Sequence, residues 1–232
     1  MALESSYMNN LNSTRSDSSL LSPAASASTR VAGSTVRVRV PLKGNPVQHQ
    51  RLHELRELFT QASNALALMV QRSRCWNRVA LHHMAYKPLR EHFPQLGSQM
   101  ACNVIYSVSR AARRVYQHPD SPHNVARLGE RPLPVLRFNG AVPVYFDRHT
   151  LSLKAGEVSL FTLDGRMRFN VDLSPETEHR FRHGRLREIV LAQGADGAWA
   201  LTFDFTRAEE SEPAAVDAEW PEYVVVSEAT AP

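Results

Sequence analysis

The sequence predicts an α+β fold: a small antiparallel β-barrel with a helical domain inserted after its first strand. Three observations carry this expectation. The stretch Ser34–Val40 alternates apolar and basic residues, the period-two pattern of a half-buried strand. Amphipathic helical stripes come next, and strand-patterned, turn-rich sequence then runs from about Leu133 to Thr206. A strand separated from its sheet by helices implies that the helices are an excursion from a β domain.

In the first strand, Val36, Val38 and Val40 fall on one face and Arg37 and Arg39 on the other. Pro41, Gly44 and Pro46 end it. Leu52, Leu55, Phe59, Ala62, Leu66 and Met69 recur three and four residues apart, which predicts a helix over about Val47–Arg72. Asn77–Tyr86 reads as a short helix, and Pro88 and Pro94 break the chain beyond Tyr86. Ser98 is the expected N-cap of a further helix with the stripe Ala101, Val104, Val108, Ala111 and Val115.

Residues 118–132 read as a connecting loop. Strands are expected at Pro134–Phe138, Val144–Phe146, Thr150–Lys154, Glu157–Thr162, Arg166–Val171, Leu186–Ala192 and Ala198–Thr206, with Asp164-Gly165 and Asp196-Gly197 as two-residue hairpin turns. Ser174–His183 reads as a short helix or loop. The expected organisation is a disordered lead (1–33), the first barrel strand (34–45), an inserted helical lobe (46–117), a loop (118–132), the remaining barrel (133–207) and an acidic tail (208–232). Whether Tyr223–Val226 makes a strand is left open by the pattern.

Charge is unevenly spread. Residues 30–207 hold 26 Lys or Arg against 14 Asp or Glu, whereas residues 208–232 hold seven acidic residues and no basic one. A basic body suits a polyanion, bound through counterion release, and acidic tails interact with or mask such surfaces. The plain alternative is a solvated arginine-rich surface. No apolar run approaches the roughly 18–20 residues that span a bilayer, so no membrane partner is expected. The lead lacks the pattern of a secretory signal, and Cys75 and Cys102 form no C-x-x-C pair. A reducing cytoplasm is the expected location.

His49 and His53, four residues apart, fit two metal ligands on one helical face but have no third nearby in sequence. No G-x-S-x-G elbow occurs. The sequence therefore leads to no metal, no cofactor and no catalytic residue, and an enzyme is not expected. The candidates for nucleic-acid binding are more numerous. Arg72, Arg74 and Arg78 surround Trp76, a pairing suited to phosphate contact plus base stacking, although Trp76 equally suits a core anchor. Arg37 and Arg39 on the first strand, and Arg166 and Arg168 after Asp164-Gly165, are further candidates. Arg110, Arg113 and Arg114 cluster at a helix end, where they also complement the helix dipole. Arg180, Arg182, Arg185 and Arg187 form the densest basic run of the β part. Arg outnumbers Lys 24 to 3; guanidinium groups fork onto phosphate, although coding bias gives the same ratio.

The order and spacing of Val36-Arg-Val-Arg-Val-Pro-Leu42, Gln48-His-Gln50, Ala62-Ser-Asn64, Leu96-Gly-Ser-Gln-Met-Ala101, Val142-Pro-Val-Tyr-Phe146 and Leu151-Ser-Leu-Lys-Ala-Gly156 resemble a known family. It is the N-terminal half of the transposon-encoded TnpB (OrfB) RNA-guided nucleases and related type V CRISPR effectors, over roughly residues 35–207. The resemblance implies a helical recognition lobe, a wedge-type β-barrel and a guide-like RNA as partner. It further implies a double-stranded DNA target and a separate nuclease or transposase subunit as candidate partners. That family continues into a RuvC nuclease opening on an Asp; here Asp217 alone matches that opening. Two-metal phosphodiester hydrolysis needs several converging carboxylates. The resemblance therefore implies a RuvC-less, nuclease-deficient binder of RNA. The rival from another class is a protein–protein interaction or assembly factor of a transposon or CRISPR system.

Overall fold

The computed structural model describes residues 35–171, 173, 175–206 and 221–227. The expected lead, Ser34, the stretch 207–220 with Asp217, and residues 228–232 lie outside the described residues. β1 (Thr35–Pro41) leads into three helices, α1 (Pro46–Ser73), α2 (Arg78–His92) and α3 (Gly97–Tyr116), with one 3-10 turn at Pro94–Leu96. A short α4 (Val125–Leu128) precedes β2 (Val135–Phe138), β3 (Val144–Phe146), β4 (Leu151–Lys154), β5 (Glu157–Thr162) and β6 (Gly165–Asn170). α5 (Pro175–His183), β7 (Arg185–Gln193), β8 (Trp199–Thr206) and β9 (Val224–Ser227) complete it.

The fold is α+β with antiparallel pairing throughout, and the helices are inserted as expected: β1 pairs with β8, 167 positions apart at Arg37↔Asp204. The strands form three sheets, ordered β1-β8-β7-β3, β2-β9 and β4-β5-β6. No hydrogen-bonded closure into a barrel occurs among the described residues. The helical lobe supplies the reason. α1 stands between sheets where a barrel would need strands: Asn64 Nδ2 donates to the Phe138 carbonyl (2.9 Å) and its Oδ1 accepts the Phe138 amide (2.7 Å). At its other end, Gln48 Nε2 donates to the Arg168 carbonyl on β6 (2.9 Å). Side-chain amides of a helix thus occupy backbone groups that a closing strand would have used.

α1 begins on a capping box: the Asn45 side chain accepts the Gln48 amide, the Gln48 side chain accepts the Asn45 amide, and Pro46 supplies the fixed first-turn φ. Leu52, Leu55, Phe59, Ala62 and Leu66 are buried along it as the period requires, with Val70 in the next turn. This stripe, α3's Val104, Val108 and Val115, and the strand residues Phe203, Leu201, Ile189 and Trp199 belong to one core. The helical lobe is therefore not a separately packed domain.

Three local expectations need correction. Pro88 does not break α2, which continues to His92; the carbonyl it orphans belongs to Met84, an exposed position where water can satisfy it. Ser98 does not cap α3, which starts at Gly97 directly from the 3-10 turn. Neither hairpin turn is made as expected: Gly165 enters β6 opposite Thr162, leaving Leu163-Asp164 as the loop, and Asp196-Gly197 lies within the five residues between paired Gln193 and Trp199. Tyr223–Val226 is resolved in favour of order: β9 pairs with β2 at Val224↔Phe138, and Tyr223 stacks on Phe138 at 6.4 Å.

Replacing Asn64 by Ala strands both backbone groups of buried Phe138, each costing about 1–3 kcal/mol. Urea unfolding should show a lower midpoint with an unchanged slope.

Candidate nucleic-acid interface

The four-stranded sheet has an apolar face turned to the core and a polar face that α3 partly covers. Val36, Val38 and Val40 share the core face with Phe205, Phe203 and Leu201 by register, and Arg37 and Arg39 share the polar face with Asp204 and Thr202. Next along, Glu188 and Val190 of β7 lie opposite Asp204 and Thr202. Two carboxylates therefore sit directly across from each other on neighbouring strands, an unfavourable pair unless each has a cation. Both have one. Arg37 forks onto Asp204, with Nε–Oδ1 at 2.8 Å and Nη2–Oδ2 at 3.0 Å. Arg110 of α3 donates to Glu188, which also accepts the Tyr106 hydroxyl at 2.8 Å.

The helical lobe thus docks on the sheet through Glu188. Burial, followed by the Glu188 charge, pushes the Tyr106 phenol up to about 12, so Tyr106 stays a donor across the biological range. Burial opposes the charge on Arg110, but the facing Tyr145 and Glu188 oxygens outweigh it and raise its pKa. Arg78 extends the row, its guanidinium 5.1 Å above the Tyr106 ring. A continuous polar band runs from Arg78 through Tyr106, Glu188 with Arg110, and Asp204 to Arg37.

The other candidates fall into two groups. α1 and α3 end beside the start of α2, which brings Arg72, Arg74, Trp76, Arg78, Arg113 and Arg114 to one end of the helical lobe. Ser109 Oγ donates to the Trp76 carbonyl (2.6 Å), and the Trp76 ring lies 5.5 Å from Tyr116. The sheet group is Arg37, Arg39, Arg185 and Arg187. Arg185 and Arg37 sit two strands apart and two residues out of line, since Arg185 and Thr35 both pair with Thr206. Arg187 occupies the bulge between Leu186 and Glu188.

Several candidates have structural employment that the sequence did not reveal. Arg110 is the half-buried ion-pair partner of Glu188. Trp76 is half-buried between the helices, with its Nε1 donating to Gln117 Oε1 at 3.1 Å and its ring beside Tyr116. Arg74, the left-handed C-cap residue of α1, ties down the loop carbonyls of Gly129 (2.7 Å) and Arg131 (3.0 Å). Arg166 straps its own sheet, donating to the His149 and Ser159 carbonyls over the Phe161 ring. Arg168 pairs with Glu157 and Arg182 with Glu178, both on exposed faces where such pairs contribute little. Arg166, Arg168 and Arg182 lie outside the band.

Arg39, Arg72 and Arg113 are different. All three are exposed, and no side-chain hydrogen bond or ion pair engages them among the described residues. Arg39 reaches toward the β7–β8 turn, where a Cβ at Gly194 would lie 3.3 Å from its Nη2. Arg180 closes α5, whose joint with β7 is tight: a Cβ at Gly184 would collide with the Arg180 carbonyl oxygen and lie 3.1 Å from Phe205.

The histidine pair on α1 is built into the core boundary. His53 lies edge-on 5.1 Å from Trp199, and its Nδ1 faces Arg56 Nη2 at 3.1 Å. Among the described residues, no three His, Cys, Asp or Glu side chains are grouped to hold a metal ion. Cys75 and Cys102 are free, half-buried thiols; Cys102 Sγ lies 3.7 Å from His82 Nε2, and burial pushes that thiol up, away from the reactive thiolate. No helix of the described residues is long and apolar enough to cross a membrane.

No known family model matches this chain, and neither does any curated protein. The function is therefore argued from the geometry above.

Glu188→Ala should remove the counter-charge of a largely buried arginine and cost about 3–5 kcal/mol. Glu188→Gln, which keeps an acceptor for Tyr106, should cost less; chemical denaturation ranks the two. Burial, then Arg56 and His49, lowers the His53 pKa in the folded chain, so the unfolded chain binds its proton first on acidification. Stability should fall as pH drops below about 6.5, and His53→Gln should flatten that part of a melting-temperature profile.

Proposed function

We propose that this chain is an RNA-binding protein of TnpB type that works in the cytoplasm. The observation that carries this reading is the placing of uncommitted cations. Arg39 stands at the sheet end of the polar band and Arg72 and Arg113 at its helical end, while the arginines between them are pinned by carboxylates or rings. A ligand with regularly spaced negative charge, laid along the band, meets free guanidinium groups at both ends and a rigid middle. Guanidinium is the side chain best matched to phosphate oxygens.

The band lacks a stacking surface. Tyr145 is buried, with its hydroxyl 3.3 Å from that of Tyr223, Tyr106 lies beneath Arg78, and Trp76 is wedged between helices. Single-strand binders depend on exposed aromatic platforms, whereas folded or paired RNA is held by backbone shape. On this reading the partner is a structured guide-like RNA. A paired guide–target segment would be held in the same way, base pairing supplying the sequence, with any cutting left to a separate nuclease or transposase subunit.

RNA co-purifying after nuclease-free lysis should exceed background, and its loss refutes the reading. With a purified RNA hairpin, affinity should fall steeply between about 50 and 200 mM salt. Arg39→Ala, Arg72→Ala and Arg113→Ala should each lower the log–log salt slope by about 1, while Arg168→Ala, outside the band, should leave it unchanged.

A further inference from the structure

β1 is the outer strand of its sheet, and only β8 runs along it among the described elements. Its seven residues leave one row of backbone amides and carbonyls without a neighbouring described strand. The side chains agree with an open edge. Val40 is buried at 2 % exposure, yet Val36 and Val38, on the same face, stay half-exposed. On the other face are Arg37 and Arg39. Arg37 has its carboxylate on the inner side, at Asp204, and its side chain is still 72 % exposed; Arg39 has none among the described residues.

An open edge is a template for one more strand. The alternation decides which strand it accepts. In an antiparallel pairing with a second copy of β1 that keeps both core faces on one side, Arg stands opposite Arg, and like charges directly opposite are destabilising. A strand that alternates acidic and apolar residues meets the opposite condition. Its carboxylates fall against Arg37 and Arg39, and its apolar side chains cover the exposed parts of Val36 and Val38.

We propose that the β1 edge is a docking site for a partner protein's extended segment of alternating acidic and apolar residues, bound by strand addition. Backbone pairing supplies the affinity of this mode and alternate side chains its specificity. The proposal stands apart from the RNA reading, because its ligand needs no phosphate. The two are linked at one point only: a docked acidic strand draws Arg39 away from any polyanion along the polar band.

The test uses the full, nuclease-treated chain and three fluorescent peptides: alternating Glu-Val, alternating Glu-Gly and alternating Lys-Val. Anisotropy should show the Glu-Val peptide binding more tightly than the other two. Amide hydrogen exchange should slow within Val36–Val40 when it binds. Arg39→Glu, at an exposed position that leaves the core intact, should weaken the Glu-Val peptide by at least about tenfold, since opposed like charges cost several kcal/mol, and should admit the Lys-Val peptide. Equal binding of Glu-Gly, or binding without protection of the β1 amides, reduces the effect to charge alone and overturns the proposal. Pairing of two copies through β1 overturns it as well. Failure to bind RNA, with these peptide results intact, removes the RNA reading and leaves this one standing.

Discussion

The structure depends on how two carboxylates are neutralised. Glu188 and Asp204 face each other across β7 and β8, and neither lies where water alone can screen it, with side chains 10 % and 12 % exposed. Arg37 comes from the strand at the sheet edge and Arg110 from the helical insertion. The same need for opposite charge therefore recruits β1 to the sheet and seats α3 upon it. Removal of one partner leaves a buried charge exposed to no compensating field, which costs more than the pair itself contributes. The acidic pair fixes the orientation of the insertion; the apolar core supplies most of the stabilisation.

That arrangement changes how the basic composition should be understood. A net positive body invites the idea that every arginine waits for phosphate. In this fold many arginines are construction: Arg74 holds a loop, Arg166 straps a hairpin, Arg110 joins two layers. The few left unengaged stand on rigid elements, so a ligand would meet their backbone positions at defined separations and would have to order only the side chains. A rigid backbone lowers part of the entropic cost of binding, and the pinned residues contribute by holding those elements in place.

Much of the fold was legible in residue order. The alternation at Val36–Val40 and the three-four spacing from Leu52 onward each report a single face meeting a core, and both hold. Strand limits at Val144–Phe146 and Glu157–Thr162 agree as well, because short β-rich runs bounded by turn residues have few alternatives. The want of barrel closure among the described residues is not legible in the sequence, because nothing local marks Asn64 and Gln48 as substitutes for strand pairing; their partners lie 74 and 120 residues away. The same holds for the candidate interface. Arg110 looked like one of a basic trio, and its fate was set by Glu188, 78 residues on. Arg39, Arg72 and Arg113 became distinctive only through the absence of described partners, and no sequence pattern encodes that. Pro88 misled for a different reason: a proline rule assumes an orphaned carbonyl is costly, which exposure at Met84 relieves.

The joint at Gly184 bears on the longest basic run of the chain. With no room for a side chain between α5 and β7, that joint cannot be padded or loosened by ordinary substitution. The backbones that carry Arg180 and Arg182 on the helix and Arg185 and Arg187 on the strand consequently keep a set angle, like two combs welded at one end. A flexible basic tract would mould itself to any polyanion; a polyanion that touched both of these segments would meet backbones already placed.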